Sequence, residues 1–247
     1  MIEATIAGHI GQITLNRPEA HNALTRAAMQ AIMAQLEDWR GAGLRAVIIT
    51  GKGRSFCAGA SLDDVANADW SVNPLTALCD AVENFPCPVI AALNGGVYGG
   101  GVELALAADF RIGVAGMRAF VPPAKLGIHY EPAGIARAIA RLGSQMARRM
   151  FLTAESFDDT GLLSVGFVDK LVAAEDLVAT ADALAQTIAG LAPLAVQGMK
   201  QTIVELERGQ VDAKAARIRV QAAFASQDHV EGLAAQREKR APQFKGC

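Results

Sequence analysis

Between Thr25 and Trp39 the apolar residues Met29, Ile32, Met33, Leu36 and Trp39 recur at intervals of three and four. That period puts them on one face of a helix, with Thr25 as its N-cap and Gly41 and Gly43 at its end. Ahead of it, "EATIAG" and "GQITLN" read as the arms of a hairpin that turns near Gly8 and His9. The pattern then changes. "LRAVIIT" and "CPVIAAL" are unbroken apolar runs, as expected of strands covered on both faces. "NPLTALCDAVENF" between them is helical, and "FRIGVAG" is a further strand. Strand, glycine-rich loop and helix thus occur twice within about 60 residues, the rhythm of ββα or βαβ units.

From about Glu131 the pattern is almost wholly helical. "ESFDDTGLLSVG" opens with a capping-box-like Ser156 and Asp159, and "FVDKLV" is a short strand. Alanine-rich helices then run from about Ala174 to Lys239, broken near Pro193, Gly209 and Asp228. Such helices either pack on a neighbouring subunit or cover their own core, and the pattern leaves both open. The expected division is a core over residues 1–190 and a helical region over 191–247.

Composition narrows the class. Hydrophobic residues make up 51% of the 247 and charged residues 19%, enough for a large core. A net charge of -2 gives no electrostatic footprint for nucleic acid, and Arg237-Glu238-Lys239-Arg240 reads as a solvated helix face. Cys57, Cys79, Cys87 and Cys247 form no CxxC pair, and the four histidines have no metal-ligand spacing. With no signal peptide and no long apolar span, the expectation is a cytoplasmic protein without a membrane segment.

Chemistry concentrates in "NGGVYGGGVELALAADF", Asn94 to Phe110, where three glycines run into a helix that carries Glu103. Glycine weakens a helix by about 1 kcal/mol against alanine, so close packing or a closely approaching ligand must offset it. Neither a GxxxxGK[ST] nor a GxGxxG phosphate loop is present. Two backbone amides from separate glycine-rich loops, converging on a carbonyl oxygen with a carboxylate one turn onward, would suit proton transfer next to a thioester. The alternative is that the glycines only permit close helix–sheet contact and that Glu103 is exposed. Asp109 reads as a helix-end contact, Cys57 as a small apolar filler, and Trp70 and Phe85 as packed aromatics or acyl-pocket lining.

"TGKGRSFCAGASL" (Thr50 to Leu62), followed by "PVIAALNGGVYGGGVELALAADFRIG" (Pro88 to Gly113), resembles the enoyl-CoA hydratase/isomerase, or crotonase, family. "ITLNRPEAHNALT", "PPAKLGIHYEPAGIARAIARLG", "LTAESFDDTGLLSVGFVDKLV" and "HVEGLAAQREKRAPQFKG" extend the resemblance along nearly the whole chain. It implies an α/β fold, a crotonase-like spiral of ββα units with a C-terminal helical trimerisation region, as trimers or hexamers. It implies an acyl-CoA substrate and no separate cofactor, coenzyme A arriving as part of the substrate. It implies oxyanion-hole amides at Ala60 and Gly100, substrate contacts at Ala58, Ala60 and Leu62, a catalytic Glu103, and a lid over about Ala66 to Asn73.

The sequence departs from that family where a second glutamate is usual. Pro122-Pro123-Ala124-Lys125-Leu126-Gly127 places Pro123 there. Ser61 also stands where an aspartate is frequent. Enoyl-CoA hydratase-like lyase activity is the first expectation. "KLGIHYEPAG" resembles a branch that decarboxylates malonyl-CoA-type thioesters, with a tyrosine at the place of Tyr130, flanked by His129 and Glu131. Decarboxylation, double-bond isomerisation and a non-catalytic acyl-CoA-binding or assembly role are the alternatives.

Overall fold

Alternating residues of β1 (Ile2–Ala7) and the more buried β2 (Ile10–Leu15) pair as an antiparallel hairpin around Gly8, which turns at φ +59°. This is the opening of a computed structural model whose described residues are 1–61 and 73–247. Thr25 caps α1 (Arg26–Asp38) by accepting the Ala28 amide at 3.2 Å, and Met29, Ile32 and Leu36 form its buried stripe.

The remainder winds as a repeated ββα turn. One turn is β3 (Ala46–Gly51), β4 (Ser55–Cys57) and α2 (Pro74–Glu83). The next is β5 (Val89–Leu93), β6 (Gly96–Tyr98) and α3 (Gly100–Ala107). A third is β7 (Phe110–Val114), β8 (Arg118–Phe120) and α4 (Pro132–Leu142). Each turn contributes one strand to each of two sheets, so turns stack by parallel pairing. The larger sheet runs β1-β2-β3-β5-β7-β10, with β10 at Lys170–Val172; the smaller runs β4-β6-β8-β9, with β9 at Phe157–Asp158. Thr50 aligns with Ala92 and Ala92 with Ile112, so one register passes through three turns. The apolar runs of β3 and β5 are buried because α7 (Leu177–Ala189) crosses one side of the larger sheet while the smaller sheet and the helices fill the other.

Pattern alone gave the long strands and helices but not the smaller sheet, whose strands are two or three residues long. One expectation is corrected. Ser156 does not cap the next helix, because it leads into β9, which pairs antiparallel with β8. Helix α6 (Asp159–Ser164), which follows α5 (Ser144–Thr153), is capped instead by Asp158, whose Oδ1 accepts the Gly161 amide at 2.8 Å.

The C-terminal helices are α8 (Pro193–Glu207), α9 (Ala213–Ala225) and α10 (Gln227–Glu238). Lys200 of α8 reaches into the core, donating to Asp109 Oδ2 at 2.6 Å and to the Cys87 carbonyl at 3.0 Å; Asp109 also accepts the Val89 amide. Arg45 bonds the carbonyls of Ala189 and Phe244, which ties the chain end to the start of β3. Away from these anchors the helices do little to cover a core. Helix α9 buries none of its residues, and Met199, Ile203, Leu206, Phe224 and Val230 are exposed. Among the described residues no single helix is long and apolar enough to cross a membrane.

Asp109→Ala would leave the Lys200 ammonium and the Val89 amide without their carboxylate. Removing one partner of a buried pair should cost roughly 2–4 kcal/mol, read as a lowered denaturant midpoint with an unchanged slope.

Candidate active site

The first glycine-rich loop is held from below by Leu24, whose amide donates to the Gly59 carbonyl and whose carbonyl accepts the Ser61 amide. A parallel bridge of this kind turns the groups of the intervening residue away, so the Ala60 amide faces outward. Gly100 is the first residue of α3, where an amide has no partner within the helix. Neither amide donates to an acceptor among the described residues. The two lie close together, since a Cβ on Gly100 would stand 3.3 Å from the Ala60 nitrogen.

The three glycines have separate reasons. Gly99 takes φ +52° and ψ -120°, a conformation that L side chains rarely adopt. A Cβ on Gly101 would lie 2.4 Å from the Cys57 carbonyl oxygen, so α3 packs on the backbone of β4 itself. A Cβ on Gly100 would lie 2.6 Å from Leu75 Cδ2 and 3.3 Å from the Ala60 nitrogen, so it would crowd both the cavity wall and that donor. Close packing and access to a backbone donor therefore both hold. The alternative of an exposed Glu103 is excluded, since the residue is only 3% exposed.

Ala58, Ala60, Gly99, Gly100 and Glu103 line one cavity of about 380 Å³ together with Tyr130. Its other walls are largely apolar, from Met29, Leu75, Pro122, Pro123, Leu126 and Ile128, with Arg26, His129 and Glu131 adding polar groups. The sequence-derived residues Glu103, Tyr130, Ala60, Gly100 and Ala58 thus share one wall system, and Pro123 lies in it. Leu62, Trp70 and residues 66–72 of the expected lid lie outside the described residues; Asn73 caps α2 by accepting the Leu75 amide. Phe85 is core at 2% exposure and does not line this cavity. Among the described residues no group of three or more His, Cys, Asp or Glu side chains is placed to hold a metal ion.

The two oxygens of Glu103 differ. Oε1 accepts from Arg137 Nη1 at 2.9 Å. Oε2 is buried and meets no donor in hydrogen-bonding geometry, although the Tyr130 hydroxyl lies beside the carboxylate. Burial raises the Glu103 pKa, and Arg137 and Tyr130 only partly offset it. Tyr130 packs against Phe151 with ring centroids 4.9 Å apart and planes tilted by 55°, and burial with the neighbouring Glu103 charge holds its pKa well above the usual value. Its hydroxyl keeps its proton. Burial likewise pushes the Cys57 thiol up to about 12, in keeping with a filler and not a nucleophile.

Sequence reasoning missed what stands behind Glu103. Arg137 of α4 also donates from Nε to Glu83 Oε1 at 3.1 Å and from Nη2 to Asp80 Oδ1 at 2.9 Å, both on α2. Gly134, one turn earlier, lets α4 approach: a Cβ there would lie 2.4 Å from a Tyr130 ring carbon and 2.7 Å from Glu103 Oε2. The signal was available. Glu83 falls on the stripe of Leu75, Leu78, Cys79 and Val82, and Arg137 falls beside Gly134 and Ala138, so helical register alone puts two opposite charges in the core.

Such a fold and such a pocket define a ββα-spiral protein with paired backbone donors and a buried carboxylate. The chain belongs to the enoyl-CoA hydratase/isomerase family, whose model matches residues 5–247. It is 32% identical over 247 residues to the probable enoyl-CoA hydratase echA6 of Mycobacterium tuberculosis, covering 100% of both chains. It is 32% identical over 240 residues to the 2,3-dehydroadipyl-CoA hydratase of Escherichia coli, covering 95% of this chain and 94% of that one. Among solved structures, the enoyl-CoA hydratase of Bacillus anthracis superposes with a TM-score of 0.89 at 32% identity, over 100% of this chain and 99% of that one. An enoyl-CoA hydratase/carnithine racemase of Magnetospirillum magneticum gives 0.92 at 28%, over 100% and 96%.

A carboxyl whose folded pKa is raised contributes stability below its unfolded pKa and loses it as pH rises through the folded value. Glu103→Gln removes that loss. The variant should match or exceed the parent in thermal midpoint at pH 8, with a smaller fall between pH 5 and 8, as measured by thermal unfolding across that range.

Proposed function

We propose that this protein is an acyl-CoA enzyme that stabilises a thioester enolate, and that its reaction is hydration of a 2-enoyl thioester or the reverse. The observation that carries the reading is the juxtaposition of two uncommitted amides, Ala60 and Gly100, with one buried carboxylate in an apolar cavity. The thioester oxygen would accept from both amides, and the start of α3 adds its dipole. In hydration, Glu103 would take a proton from water as the hydroxyl bonds to the β-carbon and the electron pair moves to the thioester oxygen. The same carboxyl would then return the proton to the α-carbon. One carboxyl serves both steps because Pro123 offers no second one. Two of the relatives are named as hydratases, which supports the assignment. Ala58 and Ala60 would border the thioester, coenzyme A being part of the substrate and no separate cofactor being required.

Tyr130 favours a second reading. A protonated phenol beside Glu103 suits decarboxylation of a malonyl-type thioester, in which the bond to the carboxylate breaks, its electron pair forms the enolate and a proton then quenches the α-carbon. The exposed apolar residues of α8, α9 and α10 support assembly into homotrimers or hexamers through those helices.

Mass spectrometry of crotonyl-CoA, a longer 2-enoyl-CoA, methylmalonyl-CoA and ethylmalonyl-CoA incubated with the protein tests these readings. Gain of water on an enoyl thioester is the expected result. Glu103→Gln should lower that turnover by about 10²–10⁴-fold with thioester binding retained. Loss of carbon dioxide would favour the second reading, with Tyr130→Phe then the deleterious change. Binding without turnover of any thioester would make the protein a non-catalytic acyl-CoA binder.

A further inference from the structure

The cavity accounts for Glu103 but not for the charges behind it. Asp80 and Glu83 of α2 share Arg137 with Glu103, and both also pair with Arg208, which follows α8. Arg137 and Glu83 are buried, while Asp80 and Arg208 reach the surface, with side chains 45% and 34% exposed. The cluster therefore runs from the cavity wall to the outside of the molecule. Arg141 extends it, lying 4.0 Å from Glu83 and bonding Glu207 at 3.0 Å. Among the described residues, Cys79 and Tyr130 also face Glu103, and Arg26, His129 and Glu131 line the same cavity.

Charge counting shows what Arg208 adds. Asp80, Glu83 and Glu103 bring three negative charges, and Arg137 alone would leave two uncompensated in a cluster hydrated only at its Asp80 end. Arg208 reduces the surplus to one, and Arg141 and Glu207 cancel each other. Geometry shows the same division. Arg137 commits Nε and Nη2 to α2 and has only Nη1 for Glu103, where it fixes Oε1 and leaves Oε2 without a donor, beside Tyr130 and Gly134. Without Arg208, Asp80 and Glu83 would draw more strongly on the same guanidinium.

We infer that Arg137 is a positioning residue that clamps Oε1 of Glu103 so that Oε2 carries the proton, and that Arg208 keeps Arg137 available by sharing Asp80 and Glu83. The inference rests on the enolate reading of the site and adds a control on it from the C-terminal helices. It assigns a role to a residue that does not line the Glu103 cavity.

Two substitutions at the exposed end of the cluster test it with opposite signs. In protein labelled with ¹³C at the glutamate carboxyls, the Glu103 resonance is assigned by its loss in Glu103→Gln and followed against pH. Arg208→Gln removes a positive charge and should move the Glu103 midpoint to higher pH. Asp80→Asn removes a negative charge and should move it to lower pH. Arg208→Lys should return it toward the parent. The acid or base limb of the turnover profile should shift in step, with KM changed by less than about twofold, as for an interaction that acts on the proton carrier. Unmoved midpoints in both folded variants, or shifts of the same sign, would overturn the inference. Midpoints that move as expected while no thioester is turned over would count against the enzymatic reading alone.

Discussion

The site depends on one backbone contact between successive turns of the spiral. At Gly101 the first turn of α3 lies against the Cys57 carbonyl with no room for a side chain. That contact fixes how far α3 stands from β4, and β4 carries the loop that ends at Ala60. Both outward amides and Glu103 therefore inherit their spacing from it. A methyl group at Gly101 would not merely crowd the core; it would push apart the two amides that the proposed function directs at one oxygen. Backbone donors suit this task because their positions follow from the fold and cost no rotamer ordering.

Around that fixed frame the electrostatics are unbalanced. Burial works against ionised Glu103, Arg137 works for it, and burial prevails. Glu83 shows the opposite outcome: burial raises its pKa, but Arg137 and Arg208 together outweigh it and hold it below the usual range. Two glutamates on one arginine thus have divergent proton affinities. The one that lines the cavity is the one that can hold a proton, and the one on the side of Arg208 remains a fixed anion. On the proposed reading this divergence matters more, since Pro123 stands where a second carboxyl is usual and one group would both accept and give the proton.

The legible stretches of the sequence were those with enough length to repeat. The runs at β3 and β5 and the stripe of α1 declared themselves because burial acted on several residues in a row. Strands β4, β6, β8 and β9 are too short for a period, and their hydrogen bonds come from neighbours a full turn away. Glu103, Ala60 and Gly100 were found through the glycine pattern and its family resemblance, not through periodicity. Arg137 and Glu83 went unnoticed although helical register places both inward. Their pairing is a tertiary fact, since α2 and α4 each pack on α3 and are brought together there.

Arg208 also has an address in time. The cavity is built from residues between Arg26 and Glu131, and Arg137 follows shortly after on the chain. During synthesis from the N-terminus these segments leave the ribosome first, and folding proceeds on what has emerged. Arg208, and the Arg45 bond to the Phe244 carbonyl, arrive only with the last helices. The residues that line the pocket are thus synthesised before the residue that balances the charges behind it. On the inference drawn above, a chain that ends before Arg208 would carry every one of those lining residues without that balance.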